Sequence, residues 1–392
     1  MLRLVGTPTE LMLKSSWRSV GRAAKALSRP TRTRGFALPS NLIRAAAKAA
    51  SGKPGSKNLD WESLGFGYVP TDAMVVATWK DGKWGQLDLQ RDLNFKLSAF
   101  SNIIHYGQGV FEGLKAHCCK DGKVRVFNSD MNWERMRNGA DRLGMPEIPQ
   151  DLFTNAVDFC VYTNMGYVPP YGIGGSLYLR PVLFGHGPQL GLGQAPEYLF
   201  AVMCAPVGAY YKSGLKAVDS VVIDKYDRAA PMGVGAVKCP GNYAADVKPA
   251  KEAADKGYPI ALYLDSSERK YIEEFSTSNF VAIDEKGRYV TPKSESILPS
   301  TTNKVLMKIA SSLGIEVEER PIAFEEVSGF KEVAACGTAV VLTPVGSITK
   351  GDQVYKFGEL DRLKLLYEKV KALQVGEEED TFGLTRVVEQ AK

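Results

Sequence analysis

Twice in its first half the chain carries Lys-Asp-Gly-Lys, at residues 80–83 and 120–123, each time between runs of alternating side chains. Asp-Gly suits the left-handed backbone of a tight turn, so each copy predicts an antiparallel hairpin. The first joins MVVATW to WGQLDL and the second joins GLKAHCC to VRVF. Strand patterns continue in SLYLRPVLF, YLFAVMCAPVG, IALYLD, KYIEEF, NFVAID-EKGR-YVTP, IEVEERPI and EVAACGTAVVLTPVG. Helical spacing interrupts them at three places. One helix is capped by Asp130, turns Trp133, Met136, Ala140 and Leu143 inward and ends at Gly144. A second opens at Leu298-Pro299-Ser300-Thr301-Thr302 with Val305, Leu306, Ile309 and Leu313 inward, and a third carries Leu363, Leu366, Val370 and Leu373. At 392 residues the chain exceeds one ordinary core. Two domains are expected, 61–206 and 217–392, joined by a loop over 207–216.

The net charge of +5 is unevenly placed. Residues 1–36 hold eight basic side chains (Arg3, Lys14, Arg18, Arg22, Lys25, Arg29, Arg32, Arg34) against Glu10 alone, which leaves −2 for the rest. An Arg-rich, acid-poor start predicts an organelle transit peptide over 1–36. Arg34-Gly35-Phe36-Ala37 resembles a mitochondrial processing site, with a plastid as the alternative destination. A basic nucleic-acid-binding arm is the poorer reading, because no basic patch with aromatics continues into the body. Residues 37–60, small and polar, are expected to be a flexible linker. The six cysteines form no CxxC pair and predict reduced thiols, while three histidines without ligand spacing predict no metal site. No apolar run reaches membrane-spanning length. There is no Walker A sequence, and the glycines at 172–175 and 191–193 lack the pattern of a dinucleotide site.

Candidate chemistry centres on Lys238, in MGVGAVKCPGNYAAD. It has no charged neighbour for several residues on either side, and a desolvated amine loses its proton easily and attacks carbonyls. A loop lysine with its head in water is the competing reading. Tyr243 follows at a spacing that can return its phenol to the same place. In SLYLRPVLF, alternation puts Leu177, Leu179 and Leu183 on one face and Tyr178 with Arg180 on the other. That arginine is either paired in the core or aimed at an anion. The Ser/Thr-rich helix start at 300–302 is either an anion site or an ordinary cap.

From about Trp61 onward the chain resembles the branched-chain amino acid aminotransferases, fold type IV pyridoxal-phosphate enzymes, in their eukaryotic, plant-like form. The likeness is carried by GFGYVPTD, HYGQGVFEGLKA, RMRNGADRL, SLYLRP, APVGAYY, VKCPGNYAAD, YIEEFSTSNF, ILPSTTNK and GTAVVLTPVGSI, in the family's order. The resemblance implies an α+β fold of two domains, a small N-terminal one and a larger pseudo-barrel, with pyridoxal 5′-phosphate between them. It makes Lys238 the catalytic lysine that also carries the cofactor. Glu274 then pairs with the pyridine nitrogen and Tyr243 with the ring oxygen. Arg135, Thr301, Thr302 and Thr338 hold the phosphate. Tyr106, Phe111, Tyr178, Arg180, Tyr210, Thr338 and Ala339 surround the substrate, with Arg180 and Tyr178 serving the second carboxylate of glutamate. Glu273 is expected to turn toward solvent. Ser300 and Thr301 stand where the family usually has glycine and an aliphatic residue. Val340 and Thr343 replace a redox CxxC, so no thiol switch is expected there. The implied reaction is ping-pong transamination of leucine, isoleucine and valine with 2-oxoglutarate, by a homodimer in which one subunit's Tyr106 region helps close the other's pocket. The expected compartment is the mitochondrial matrix. D-amino acid aminotransferase, aminodeoxychorismate lyase and a non-catalytic relative are the competing readings. Arg180 argues against the first two, and the intact set Lys238, Glu274 and Arg135 against the third.

Overall fold

The computed structural model describes residues 52–209 and 215–388. The transit-peptide reading of 1–36, most of the linker and Tyr210 lie outside the described residues. Six α-helices occur among those residues: α1 Asn102–Tyr106, α2 Ser129–Arg142, α3 Gln150–Thr163, α4 Pro240–Asp255, α5 Thr301–Ser312 and α6 Arg362–Gln374.

The strands make two nine-stranded sheets. In the first, the long hairpin Ser176–His186 and Glu197–Val207 is central, flanked by Leu114–Cys118 and Met74–Lys80. Both Asp-Gly turns fall where the sequence puts them, pairing Lys80 with Lys83 and Cys118 with Val124. The last strand, Thr385–Val387, returns from the far end of the chain to pair with Val124–Phe127.

The second sheet closes on itself. Ile272–Phe275, Ile260–Leu264, Val218–Val222, Val341–Lys350, Phe330–Gly337 and Ser278–Asp284 follow in order, and the last pairs back with the first. Three parallel pairings interrupt its antiparallel pattern: Val218–Val222 with Ile260–Leu264, Tyr289–Pro292 with Val317–Arg320, and Val341–Lys350 with Val218–Val222. Parallel neighbours need a crossover. The first crossover carries Lys238 and α4, the second carries Ser300 and α5. Both therefore deliver a helix N-terminus and its preceding loop to one region.

Apolar packing fixes these crossovers. Val305, Leu306 and Ile309 of α5 and Leu363, Leu366 and Val370 of α6 share one core cluster with strand residues Val281 and Leu342. Leu262, Phe275, Phe280 and Val345 belong to a second cluster. Gly235 is required where the Lys238 loop passes the chain at Ser296, since a Cβ there would lie 2.0 Å from the Ser296 carbonyl oxygen.

Four expectations need correction. The α2 cap is Asn128, in left-handed backbone at φ 60°, rather than Asp130, which lies in the first turn. Leu313 is 42% exposed, because α5 ends at Ser312 before that side chain can turn inward. Helices α1, α3 and α4 have no counterpart among the three expected helices, α4 because Pro249 lies within it and breaks the usual helical signal. Residues 52–60, read as part of a flexible linker, are partly tied down. Gly55 N–H donates to the Val168 carbonyl at 2.8 Å, and Lys57 Nζ reaches Asp72 at 2.8 Å.

Candidate active site

Lys238 sits at the end of the first crossover loop. Cys239 caps α4 and Pro240 begins it, at a position where a missing N–H costs nothing. The Lys238 carbonyl accepts the Phe111 N–H at 3.0 Å, which ties the loop to the first sheet. Its Nζ lies 2.7 Å from the Tyr243 hydroxyl, one turn into α4, and 5.0 Å from the centre of the Phe111 ring. Burial, aided by Arg135, pulls the amine down to about 7, against the opposing pull of Glu112. Burial pushes Tyr243 up to about 12, so its hydroxyl stays protonated beside an amine that is readily neutral.

A cavity of about 290 Å³ opens beside this amine, with Lys238, Arg135, Tyr178, Thr301, Thr338 and Ala339 in its walls. Arg135 is clamped. Its Nε and one terminal nitrogen donate to the two oxygens of Glu112 at 2.7 Å each, and the other donates to the Pro299 carbonyl at 2.9 Å. Five N–H bonds less these three leave two for a ligand. Glu112 is fully buried and also accepts from Asn132 at 2.8 Å. Thr301 begins α5, whose first N–H groups have no partner within the helix. Ser300 stands at φ −71° and ψ 123°, extended backbone that needs no glycine, and its Oγ accepts the Asn303 N–H. The departure at Ser300 thus leaves the helix start intact.

Glu274 is buried next to Leu298, which lines the cavity. Its Oε1 accepts from Arg228 at 2.9 Å and from the Leu298 N–H at 2.9 Å. Burial pushes its carboxyl up to about 7 against the pull of Arg228. Glu273 does not face solvent. It is buried and accepts from Ser294 Oγ at 3.1 Å and from Ser296 Oγ, because that segment covers the strand's second face. Alternation here separates two buried environments.

Tyr178 and Arg180 share one face of their strand, as alternation predicts. Arg180 donates to the Tyr178 hydroxyl at 3.0 Å and stacks 5.0 Å over Phe111, and its Nε is buried without a partner. Gly113 makes room for that hydroxyl, since a Cβ there would lie 2.2 Å from it. Phe111, Arg180, Tyr243 and Glu274 do not line the main cavity themselves but stand against residues that do, Lys238, Tyr178 or Leu298, and Thr302 and Tyr106 also lie outside its lining. Thr302 lines a separate cavity of about 20 Å³. Tyr106 is 43% exposed and donates to the Leu190 carbonyl. Glu112 and Arg228 are the charged residues that sequence reasoning missed. Glu112 had a visible signal, a lone acid inside the apolar run GVFEGL; Arg228 had none.

A buried amine, a clamped arginine beside a helix N-terminus and a buried carboxyl fit a phosphorylated aldehyde with a basic ring nitrogen. Residues 109–348 match the family Amino-transferase class IV. The chain is 44% identical to the branched-chain-amino-acid aminotransferase of Haemophilus influenzae, over 83% of this chain and 98% of that one. The chain belongs to the branched-chain-amino-acid aminotransferases. It is also 41% identical to branched-chain-amino-acid aminotransferase 5, chloroplastic, of Arabidopsis thaliana, over 83% of this chain and 80% of that protein. The solved branched-chain amino acid aminotransferase of Escherichia coli superposes with a TM-score of 0.69 at 27% identity, covering 82% of this chain and all of that one. The fold is that of fold type IV, the activity is branched-chain-amino-acid transamination, and the cofactor is pyridoxal 5′-phosphate.

The lowered basicity of Lys238 has a direct consequence. A lysine is reactive only as the free amine, so uptake of pyridoxal 5′-phosphate by cofactor-free protein should accelerate as pH rises through about 7 and then level off. Absorbance-monitored uptake between pH 5.5 and 10 checks this. A rate still climbing toward the ordinary lysine value of about 10.4 would contradict it.

Proposed function

We propose that the enzyme transaminates L-leucine, L-isoleucine and L-valine with 2-oxoglutarate in ping-pong order, the branched 2-oxo acid leaving before 2-oxoglutarate enters. The observation that carries this reading is the arrangement around one cavity: Tyr178 and Lys238, with its lowered basicity, line it, and Arg180, whose buried Nε has no partner, donates to the Tyr178 hydroxyl and stacks over Phe111 beside it. A branched aliphatic side chain is accepted by burial against Phe111 and Tyr178. A second carboxylate needs donors, and Arg180 with the Tyr178 hydroxyl supplies them.

When bound, pyridoxal 5′-phosphate supplies an electron sink that makes the substrate Cα proton acidic. Lys238 would hold it through its aldehyde carbon. Arg135, the first N–H groups of α5 and the Thr338 hydroxyl would hold its phosphate. Glu274 Oε2 would take the ring nitrogen, since both of its protein bonds here land on Oε1. Tyr243, protonated at neutral pH, would donate to the ring oxygen and steady the Lys238 amine. Lys238 Nζ then takes the substrate Cα proton as a general base, a role its basicity near 7 suits.

The proposed homodimer is supported by an apolar patch in which Phe100, Ile104, Leu190 and Leu192 are 52%, 58%, 75% and 84% exposed around Tyr106. The α1 segment and the 189–193 loop are held together there, Gln189 N–H donating to the Phe100 carbonyl at 2.9 Å. A second copy covering this patch would bring Tyr106 to the neighbouring pocket. Sedimentation at a mass near twice 42.8 kDa is expected, and a monomer would contradict it. The leader supports the mitochondrial matrix, although plant relatives carry both chloroplastic and mitochondrial names. Import of a fusion bearing residues 1–36 into isolated organelles decides between them.

Arg180→Met separates the two substrate classes. A charge-assisted hydrogen bond is worth about 1.5–3 kcal/mol, so KM for 2-oxoglutarate should rise about 10- to 150-fold. The leucine half-reaction, followed by single-turnover absorbance, should change less than threefold. Equal losses in both would contradict the assignment.

A further inference from the structure

Lys115 belongs to Leu114–Cys118 in the first sheet, directly opposite Tyr178 in the register. Its Nζ donates to the Ala339 carbonyl, in the second sheet, at 2.6 Å. One short strand thus carries a side chain that reaches across to the opposite wall of the cavity while its cross-strand neighbour, Tyr178, lines the near wall. The lysine approaches from behind. It lines the separate cavity of about 20 Å³, together with Thr302, Val341 and Gln374, and not the main one. Thr301 and Thr338 stand in the walls of both cavities, so they form the partition.

The carbonyl it holds belongs to a strained turn. Val340 N–H bonds back to the Gly337 carbonyl at 3.3 Å, which closes the turn between Phe330–Gly337 and Val341–Lys350. Val341, which follows, has φ 74°, a left-handed backbone that β-branched residues rarely adopt. Such strain persists only where the surroundings fix the conformation. The Ala339–Val340 peptide is planar, and it is held at both ends: its oxygen by Lys115 and its N–H by Gly337. The N–H groups of Thr338 and Ala339 are not spent in closing the turn, and both residues line the main cavity.

We propose that Lys115 is a positioning residue for substrate binding: from the first sheet it holds the Ala339 carbonyl, and so keeps the turn Gly337–Val340 in the shape that receives the substrate's α-carboxylate. This rests on the substrate reading above. Lys115 lies outside the lining of the main cavity, and it acts through the turn. Burial, with Lys371 nearby, pulls its amine down to about 7, so the bond to Ala339 offsets a real desolvation cost.

The test uses cofactor-loaded enzyme and two unreactive probes, 4-methylvalerate and its uncharged amide, titrated by calorimetry. In Lys115→Met the dissociation constant of the acid should rise at least tenfold. That of the amide should change less than twofold, with cofactor retained and melting temperature close to wild type. Unchanged affinity for the acid overturns the proposal. So does equal weakening of acid and amide, which would mark general loosening of the pocket. If the methionine variant does not fold, Lys115→Gln is read instead, with at least threefold selective weakening of the acid expected and no selective weakening overturning the idea. Wild-type enzyme that binds neither probe removes the substrate reading itself, and this proposal with it.

Discussion

A lysine can serve as a nucleophile and a base near neutral pH only if water is kept from it, and removing water makes every nearby charge expensive. The structure answers this with balance. Around Lys238 stand Arg135 and Arg180, which disfavour its proton, and Glu112 and Glu274, which favour it. Each carboxylate is spoken for, Glu112 by Arg135 and Glu274 by Arg228. Neither is free to pull the amine back into a permanent ion pair. Breaking a buried pair of this kind typically costs about 3–5 kcal/mol, so these clamps also hold the walls in place.

The balance depends on bringing distant parts of the chain together, and two of the three parallel pairings in a mostly antiparallel sheet do it. Each crossover ends in a helix start: one presents Lys238 and Tyr243, the other Ser300 and Thr301. The first sheet supplies Tyr178 and Arg180 from the strand Ser176–His186, and Glu112 from the link between Gly109–Phe111 and Leu114–Cys118. Specific hydrogen bonds join the walls. Phe111 N–H to the Lys238 carbonyl, Arg135 to the Pro299 carbonyl and Asn128 to the Thr301 carbonyl each join a first-sheet element to a loop or helix start of the second.

Local signals in the sequence were reliable where local physics decides. The Asp-Gly hairpins, the alternating face that separates Leu177 and Leu179 from Tyr178 and Arg180, and the α5 start all follow from turn chemistry and period. Glu273 could not be read this way, because only a distant segment bearing Ser294 and Ser296 buries its face. Arg228 lies ten residues before Lys238, in a stretch with no period, and only the fold brings it to Glu274. Lys238 itself looked uncharged in its surroundings along the chain; in space it is ringed by charges that compensate one another. The family resemblance supplied the site roles that spacing alone left open.

The central claim is that Lys238, among several buried lysines, is the amine adapted for the cofactor. Lys115 is the demanding comparison, since burial pulls it down to about 7 as well. Reduction of the cofactor-loaded protein with borohydride, followed by proteolysis and mass spectrometry, fixes the attachment point. The account predicts a pyridoxyl phosphate adduct on the peptide containing Lys238 and none on the peptide containing Lys115. An adduct on Lys115, or a protein that carries none, would contradict it.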